Sequence, residues 1–347
     1  MIIEGLSPGP LPPPKTIEHR FQDPNYSNAY TSVYNFHERV LGDEASVIRA
    51  RLLGFLLILT TNDTVRAEVV STVVSCSNDS ALYDLGELYM DFFICPFMKY
   101  KGPRTPTFQS HPNRPFDLRE QEIESMIHQA PGNHEKAKDL ALYRDGYRCV
   151  ATKIFEVDHA VNGGPETYAD IQQFGATATN CAHIIPASTY IKLSNETKKD
   201  YAASVLAVLA RFGYNMDNLG WPKIHPLFNT MTLVTVVHDY FDQLKLWFEA
   251  TTTPHRYEIK CLNPFEPILR NMPSPFTTFT TSDPRLPLPD PALLALHATC
   301  AKVAHLSGAG EHIDRVHRDL RRLDVLAEDG GSSDVLFHAL SHSSLIP

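Results

Sequence analysis

The segment Phe228–Asp242 limits the folds open to this chain more than any other. Met231 to Val234 reads as a short strand, and Val236 to Gln243 follows at once as a turn or two of helix. On that helix His238 and Asp242 stand at i and i+4, so they share one face. Two potential ligands so placed can meet one metal ion. Upstream, Asn180-Cys-Ala-His-Ile-Ile-Pro186 is a short apolar run stopped by proline. It reads as the end of another strand, with His183 where the strand opens into a loop. Among the sixteen histidines this one is placed for chemistry, since histidine is the usual general base near neutral pH. Leu244 to Ala250 and His255 to Leu262 then alternate in strand fashion and predict a hairpin over the Thr251-Thr-Thr-Pro254 turn.

The order strand, His, long loop, Asn229, strand, helix with His resembles the HNH endonucleases, the ββα-metal or His-Me finger family. Further motifs carry the likeness. Arg144-Asp-Gly-Tyr-Arg-Cys-Val-Ala-Thr152 resembles the leading strand of that family. Ala182-His-Ile-Ile-Pro186 resembles its first motif, and Asn229-x-x-x-Leu233 and His238-x-x-Phe-Asp242 its second and third. The resemblance spans roughly residues 136–262 and is nearest to a large group of HNH-domain proteins found mainly in fungi.

The resemblance implies an α+β fold: a ββα-metal core with an added β-hairpin, flanked by an N-terminal helical region and C-terminal helices. It implies hydrolysis of nucleic-acid phosphodiester bonds, in DNA or RNA. His183 would be the general base on water, and Asn229 would hold the loop that aims it. His238 would bind one divalent metal, Mg²⁺ first, with Mn²⁺ or Zn²⁺ as alternatives; Asp242 would be a second ligand or would orient His238. His225, Lys223 and Arg211 are candidate substrate contacts. Three departures stand out. Ala182 occupies the place where many members carry an Asp or His ligand, and Lys153 stands where a glycine is usual. A helix, Ser194 to Phe212, is inserted between the motifs. The alternative reading is a weakly active or inactive HNH-derived scaffold that binds protein or nucleic acid.

Around this core the chain divides by pattern. Residues 1–30, with Pro8, Pro10 and Pro12 to Pro14, read as an extended arm. Residues 31–118 read as a helical region plus linker. Helices are predicted to open near Asp43-Glu44, Asn62-Asp63 and Asp79-Ser80, and the apolar run Leu52 to Leu59 reads as a buried core helix. Residues 119–263 form the nuclease-like region and begin with helical character from Gln121 to Tyr143. Residues 264–291 read as a proline-rich linker. Residues 292–347 form a helical extension, with helices over Ala292 to Leu306 and Gly310 to Leu326, suited to a protein partner through the helical flanks.

Charge and cysteines narrow the function classes. The 347 residues carry a formal net charge of −9, unfavourable to long-range attraction of nucleic acid. Residues 136–262 are near neutral, with 13 Lys or Arg against 13 Asp or Glu, so the acidity lies in the flanks. Lys198-Lys199 reads as a solvated helix face. The six cysteines form no C-x-x-C pair, which argues against a zinc ribbon; Cys149 and Cys181 read as buried thiols. Asp158-His159 has the Asp-His form of a metal and base pair but lacks the following apolar-Pro context, and reads as structural. Met1 to Lys15 lacks the apolar run of a signal peptide. The expectation is an intracellular protein, nuclear or cytoplasmic, neither secreted nor membrane-bound.

Overall fold

The computed structural model describes residues 6–20, 23–98, 134–161, 168–186, 196–214, 226–263 and 272–322. Its chain falls into two compact units. One comprises Met1–Pro103, Ser188–Met216 and Thr299–Pro347; the other comprises Arg104–Ala187 and Asp217–Ala298.

The first unit is helical. Asp23, Asp43 and Asn62 accept backbone N–H bonds at the starts of the helices Pro24–Arg39, Glu44–Leu59 and Asp63–Ser75, each satisfying donors that a helix N-terminus leaves over. The helix Asp79–Tyr89 is capped by Asn78, one residue ahead of the predicted start. The arm expected over residues 1–30 differs most from prediction. Pro14–Ile17 is a helical turn, and the Pro24–Arg39 helix begins inside it because Asp23 caps it and Pro24 sits at N1. The Leu52 to Leu59 run lies in Glu44–Leu59, whose Leu52, Leu53, Leu56 and Leu57 are wholly buried. Glu196–Arg211, the helix predicted between the two motifs, packs in this unit, where Phe93 meets Phe212 edge-on at 5.2 Å.

Buried charge in this unit is arranged around Arg49. Its guanidinium donates to Glu87 and to the Ala45 carbonyl at 2.8 Å, and lies 4.7 Å from the centroid of Tyr83. Gly86 admits this approach, since a Cβ there would stand 2.6 Å from Arg49 Cβ. One turn beyond Gly86 the helix widens into a π-helical turn, Met90–Ile94. Asp91 within it is buried, and its Oδ1 has no hydrogen-bond partner among the described residues. Burial, then the charge of Glu87, pushes the Asp91 carboxyl up to about 8, against the opposing pull of Arg49.

Among the described residues the second unit holds three small sheets. The strands Thr179–His183 and Thr230–Val234 pair antiparallel, with His183 opposite Thr230 and Thr179 opposite Val234. The chain passes directly from the latter into the helix Thr235–Asp242, and the two strands and helix make the expected ββα unit. The hairpin forms as predicted from Leu246–Ala250 and Arg256–Cys261. A third strand, Phe276–Thr278, joins it, so the span read as a linker contributes an element to the sheet. That strand is short, and the prolines around it hide its pattern. Phe155–Glu156 and Ala176–Thr177 form a parallel pair. Of the C-terminal helices, Pro291–Ser307 begins in this unit, and Ala309–Arg322 belongs to the helical one. The 101–118 linker, the first part of the Gln121 to Tyr143 helix and residues beyond 322 lie outside the described residues.

The leading strand expected at Arg144–Thr152 is instead a helix end followed by a knuckle. The helix His134–Arg144 closes with Gly146 at φ 64°, Gly146 N–H bonding Tyr143 O at 3.2 Å and Tyr147 N–H bonding Leu142 O at 2.7 Å. This is the Schellman pattern, which favours glycine at that position. The chain then turns back on itself, Cys149 N–H to Ile154 O at 2.9 Å and Lys153 N–H to Cys149 O at 3.0 Å. Lys153 sits at φ 64°, which explains the glycine usual there. Here the strain, about 1–2 kcal/mol, is offset by the Nζ bonds to Val150 O at 2.9 Å and Thr277 Oγ1 at 3.0 Å.

The raised Asp91 carboxyl sets a pH dependence for the helical unit. Because its folded value exceeds its ordinary one of 3.8, the folded state holds the proton more tightly. Stability from this group is full below the unfolded value and is lost as pH rises toward 8. Asp91→Asn is expected to raise the melting temperature at pH 8 by several degrees and to flatten its fall between pH 6 and 8. Thermal scans across that range check it.

Candidate active site

The strand Thr179–His183 delivers His183 to its C-terminal end, buried at 4% exposure. The chain beyond it is held by Asn229. Ile185 N–H donates to Asn229 Oδ1 at 2.8 Å, and Asn229 Nδ2 donates back to Ile185 O at 3.0 Å. Ile184 N–H also bonds the Asn229 carbonyl at 2.9 Å. An asparagine suits this place because its amide offers an acceptor and a donor at once. The turn Leu227–Asn229 brings it there immediately before the second strand.

The ribbon of two strands has distinguishable faces. Cys181 packs with Ala137, Leu140 and Ala141 of the preceding helix. Asn180 Nδ2 donates to Thr235 Oγ1 at 3.0 Å, at the start of the Thr235–Asp242 helix. Since strand side chains alternate, Ala182 lies on the Asn180 face, the one turned to that helix. The position where many family members carry a ligand therefore faces the right way but holds a methyl group, fully buried.

On the helix, His238 Nε2 and Asp242 Oδ1 stand 3.3 Å apart, and both side chains are almost fully buried. Helix geometry at i, i+4 brings them together, as the sequence predicts. Phe241, on the same helix, is wedged among neighbours. Its ring is 6.0 Å from that of Phe248 on the hairpin and lies flat against His297 at 3.7 Å and 4°. The His297 Nε2 hydrogen donates to the Phe241 carbonyl at 3.2 Å. Burial holds His297 down to about 4, so it is neutral and fit for stacking. The helix ends in a Schellman pattern with Leu244 at φ 57°, Lys245 N–H bonding Tyr240 O at 2.8 Å.

A buried arginine supports this assembly from behind. Arg144, 1% exposed, donates from Nη1 to Leu227 O at 2.8 Å and Pro287 O at 3.1 Å. Its Nη2 donates to Thr230 O at 2.8 Å and Asp145 Oδ2 at 3.1 Å, and its Nε to Asp145 Oδ1 at 2.8 Å. Every guanidinium N–H is thereby used. Asp145 Oδ2 in turn accepts the Thr232 N–H at 2.8 Å. The carbonyls on either side of Asn229 are thus tied to one cation.

The remaining predicted residues fall elsewhere. His159, buried, stacks on Tyr147 at 3.8 Å and 3°, which accounts for it structurally. Arg211 ends the Glu196–Arg211 helix in the helical unit, exposed, 3.9 Å from Glu68. Lys223 and His225 lie outside the described residues, as do the side chains of Lys198 and Lys199. Cys149 and Cys181 are free, buried thiols; burial pushes Cys181 up to about 12. Sequence reasoning did not single out Arg144 or His297 as organisers. Nothing local marks the long-range partners of Arg144, and His297 is a histidine in an apolar helix.

Residues 149–249 match the family model for HNH endonuclease. This HNH segment covers less than a third of the chain and contains His183, Asn229, His238 and Asp242. Searches of curated proteins and of solved structures returned no match. HNH domains carry nuclease-type activity in general, bind nucleic acid and use a divalent metal. On one helix face of this segment an imidazole nitrogen of His238 and a carboxylate oxygen of Asp242 stand adjacent, the two groups that would hold such an ion. Among the described residues no group of three or more His, Cys, Asp or Glu gathers to hold a metal. The donor pair fits an ion that completes its shell with water and phosphate oxygens. Among the described residues no helix is long and apolar enough to cross a membrane.

Two substitutions separate the supports of the site. Arg144→Ala leaves Asp145 buried without its cation and takes one donor each from the Leu227, Thr230 and Pro287 carbonyls. It is expected to cost about 3–5 kcal/mol, read as a lower melting temperature. Asn229→Ala removes only the bracket around Ile185, at about 1–3 kcal/mol for the buried groups left unmet. Amide hydrogen exchange at Ile185 is expected to rise sharply in that variant, and unchanged protection there would refute the bracket.

Proposed function

We propose that this protein is a metal-dependent endonuclease that hydrolyses nucleic-acid phosphodiester bonds. The observation that carries the reading is the two-way bond between Asn229 and Ile185, which holds the chain directly after His183. On the same ββα unit stands the His238–Asp242 pair.

In this reading His183 takes a proton from a water molecule as its oxygen attacks phosphorus. The bond from phosphorus to the 3′ oxygen breaks, and that oxygen leaves with the electron pair and is protonated, giving a 5′-phosphate and a 3′-hydroxyl. Asn229 fixes the backbone that aims the imidazole, and a fixed general base is worth a factor of about 10²–10⁴. His238 and Asp242 would hold one divalent metal. When bound, that ion supplies positive charge to the phosphoryl and leaving oxygens. His297 and Phe241 hold the helix that presents the pair.

One observation favours a second reading, an HNH-derived scaffold that binds without cutting. Ala182 stands on the helix-facing side of the first strand where a further ligand would be. Nicking of supercoiled plasmid in Mg²⁺ and Mn²⁺, with calorimetric metal titration, decides between them. The nuclease reading expects nicking that falls by about 10²–10⁴ in His183→Ala, and metal binding that is lost in His238→Ala. Absence of both nicking and metal binding in the wild type would leave the scaffold reading standing.

A further inference from the structure

The second unit carries a cleft of about 300 Å³ whose lining includes none of His183, Asn229, His238 or Asp242. One wall is the knuckle that follows the His134–Arg144 helix, with Arg148 and Lys153; the other is Thr278 to Ser282.

Arg148 is the notable group. Its guanidinium carbon stands 3.9 Å from the ring centroid of Phe155 and 5.6 Å from that of Phe174. The guanidinium makes no hydrogen bond or ion pair with any described residue. Two rings therefore set its position while its N–H groups stay uncommitted. Arginine held on an aromatic face presents a rigid fork of donors matched to phosphate oxygens. Lys153 adds a second cation. Its Nζ bonds Val150 O and Thr277 Oγ1, which leaves one ammonium proton for another acceptor. Of the other charged groups in the lining, Asp145 is answered by Arg144, whose N–H groups are all used. The local balance is thus positive, inside a chain of net charge −9. Long-range attraction does not favour anions here, so an anion that binds does so through these specific contacts.

We propose that this cleft is a phosphate subsite that grips the sugar-phosphate backbone of nucleic acid, with Arg148 as its fork and Lys153 as its second cation. The proposal rests on the nuclease reading for the identity of its ligand. Sequence information is not read there; backbone contacts position a nucleic acid and set its register.

Fluorescence anisotropy of end-labelled DNA and RNA duplexes, in chelator-treated buffer over a series of salt concentrations, tests it. Arg148→Gln is expected to weaken binding up to about tenfold and to reduce the salt slope by about 1, the contribution of one phosphate contact. Arg148→Lys is expected to recover part of the affinity, since charge returns without the fork. Because Arg148 also packs on rings, Thr280→Glu gives an independent arm. It places a carboxylate at an exposed position in the cleft lining and is expected to weaken binding without lowering the melting temperature. The duplex that shows the slope change, DNA or RNA, is the source of the phosphate. Unchanged affinity and slope in Arg148→Gln and Thr280→Glu would overturn the subsite while plasmid nicking by the wild type kept the nuclease reading. Weakening in Arg148→Gln alone, with a lowered melting temperature and normal binding by Thr280→Glu, would overturn it also. A wild type that binds neither duplex would overturn it too, and its plasmid assay would judge the nuclease reading separately.

Discussion

The second unit depends on one buried cation. Arg144 ends a helix, yet its guanidinium reaches the carbonyls of Leu227, Thr230 and Pro287 and the carboxylate of Asp145. A buried charge is tolerable only when it is paired and its donors are satisfied, and here both conditions hold. The backbone around Asn229 is thereby pinned before the Asn229 side chain acts. The bracket on Ile185 is precise because its own anchor cannot drift.

A second set of contacts controls the helix Thr235–Asp242. At its start Asn180 bonds Thr235; at its far end Phe241 is held between the hairpin and His297. The helix is short, and an isolated helix of that length is marginal in water. Its direction comes from tertiary packing. His297 lies well beyond the segment matched by the family, so the C-terminal part of the chain helps to orient the His238–Asp242 pair. Deep burial of that pair strengthens electrostatic interaction with any ion it holds, since a low local dielectric screens charge less.

Much of the fold was legible because the signals were local. Asp43 and Asn62 cap the helices their positions predict. The hairpin from Leu246 to Cys261 and the passage from strand to helix at Val234–Thr235 follow from side-chain period. The misreadings have local causes as well. Pro24 sits at a helix start, where proline is favoured, but in a segment that opens with prolines it reads as part of an extended arm. Phe276–Thr278 is too short, among too many prolines, to show a strand period. Arg144 to Thr152 resembles the family's leading strand, but Gly146 and the positive φ of Tyr147 and Lys153 bend it into a knuckle.

For the candidate site, the sequence by itself determined which imidazole and carboxylate groups stand as neighbours on one element. The i, i+4 spacing of His238 and Asp242 suffices to join them, because a helix has one pitch. Tertiary structure alone decided what is distant in the chain: that Asn229 closes on Ile185, that Arg144 ties the backbone on both sides of Asn229, and that His297 stacks on Phe241. It also decided that His159 is a stacking partner for Tyr147 and that Arg211 belongs to the helical unit. Those outcomes depend on which surfaces meet when apolar groups are buried and polar groups are satisfied together, and no spacing along the chain encodes that.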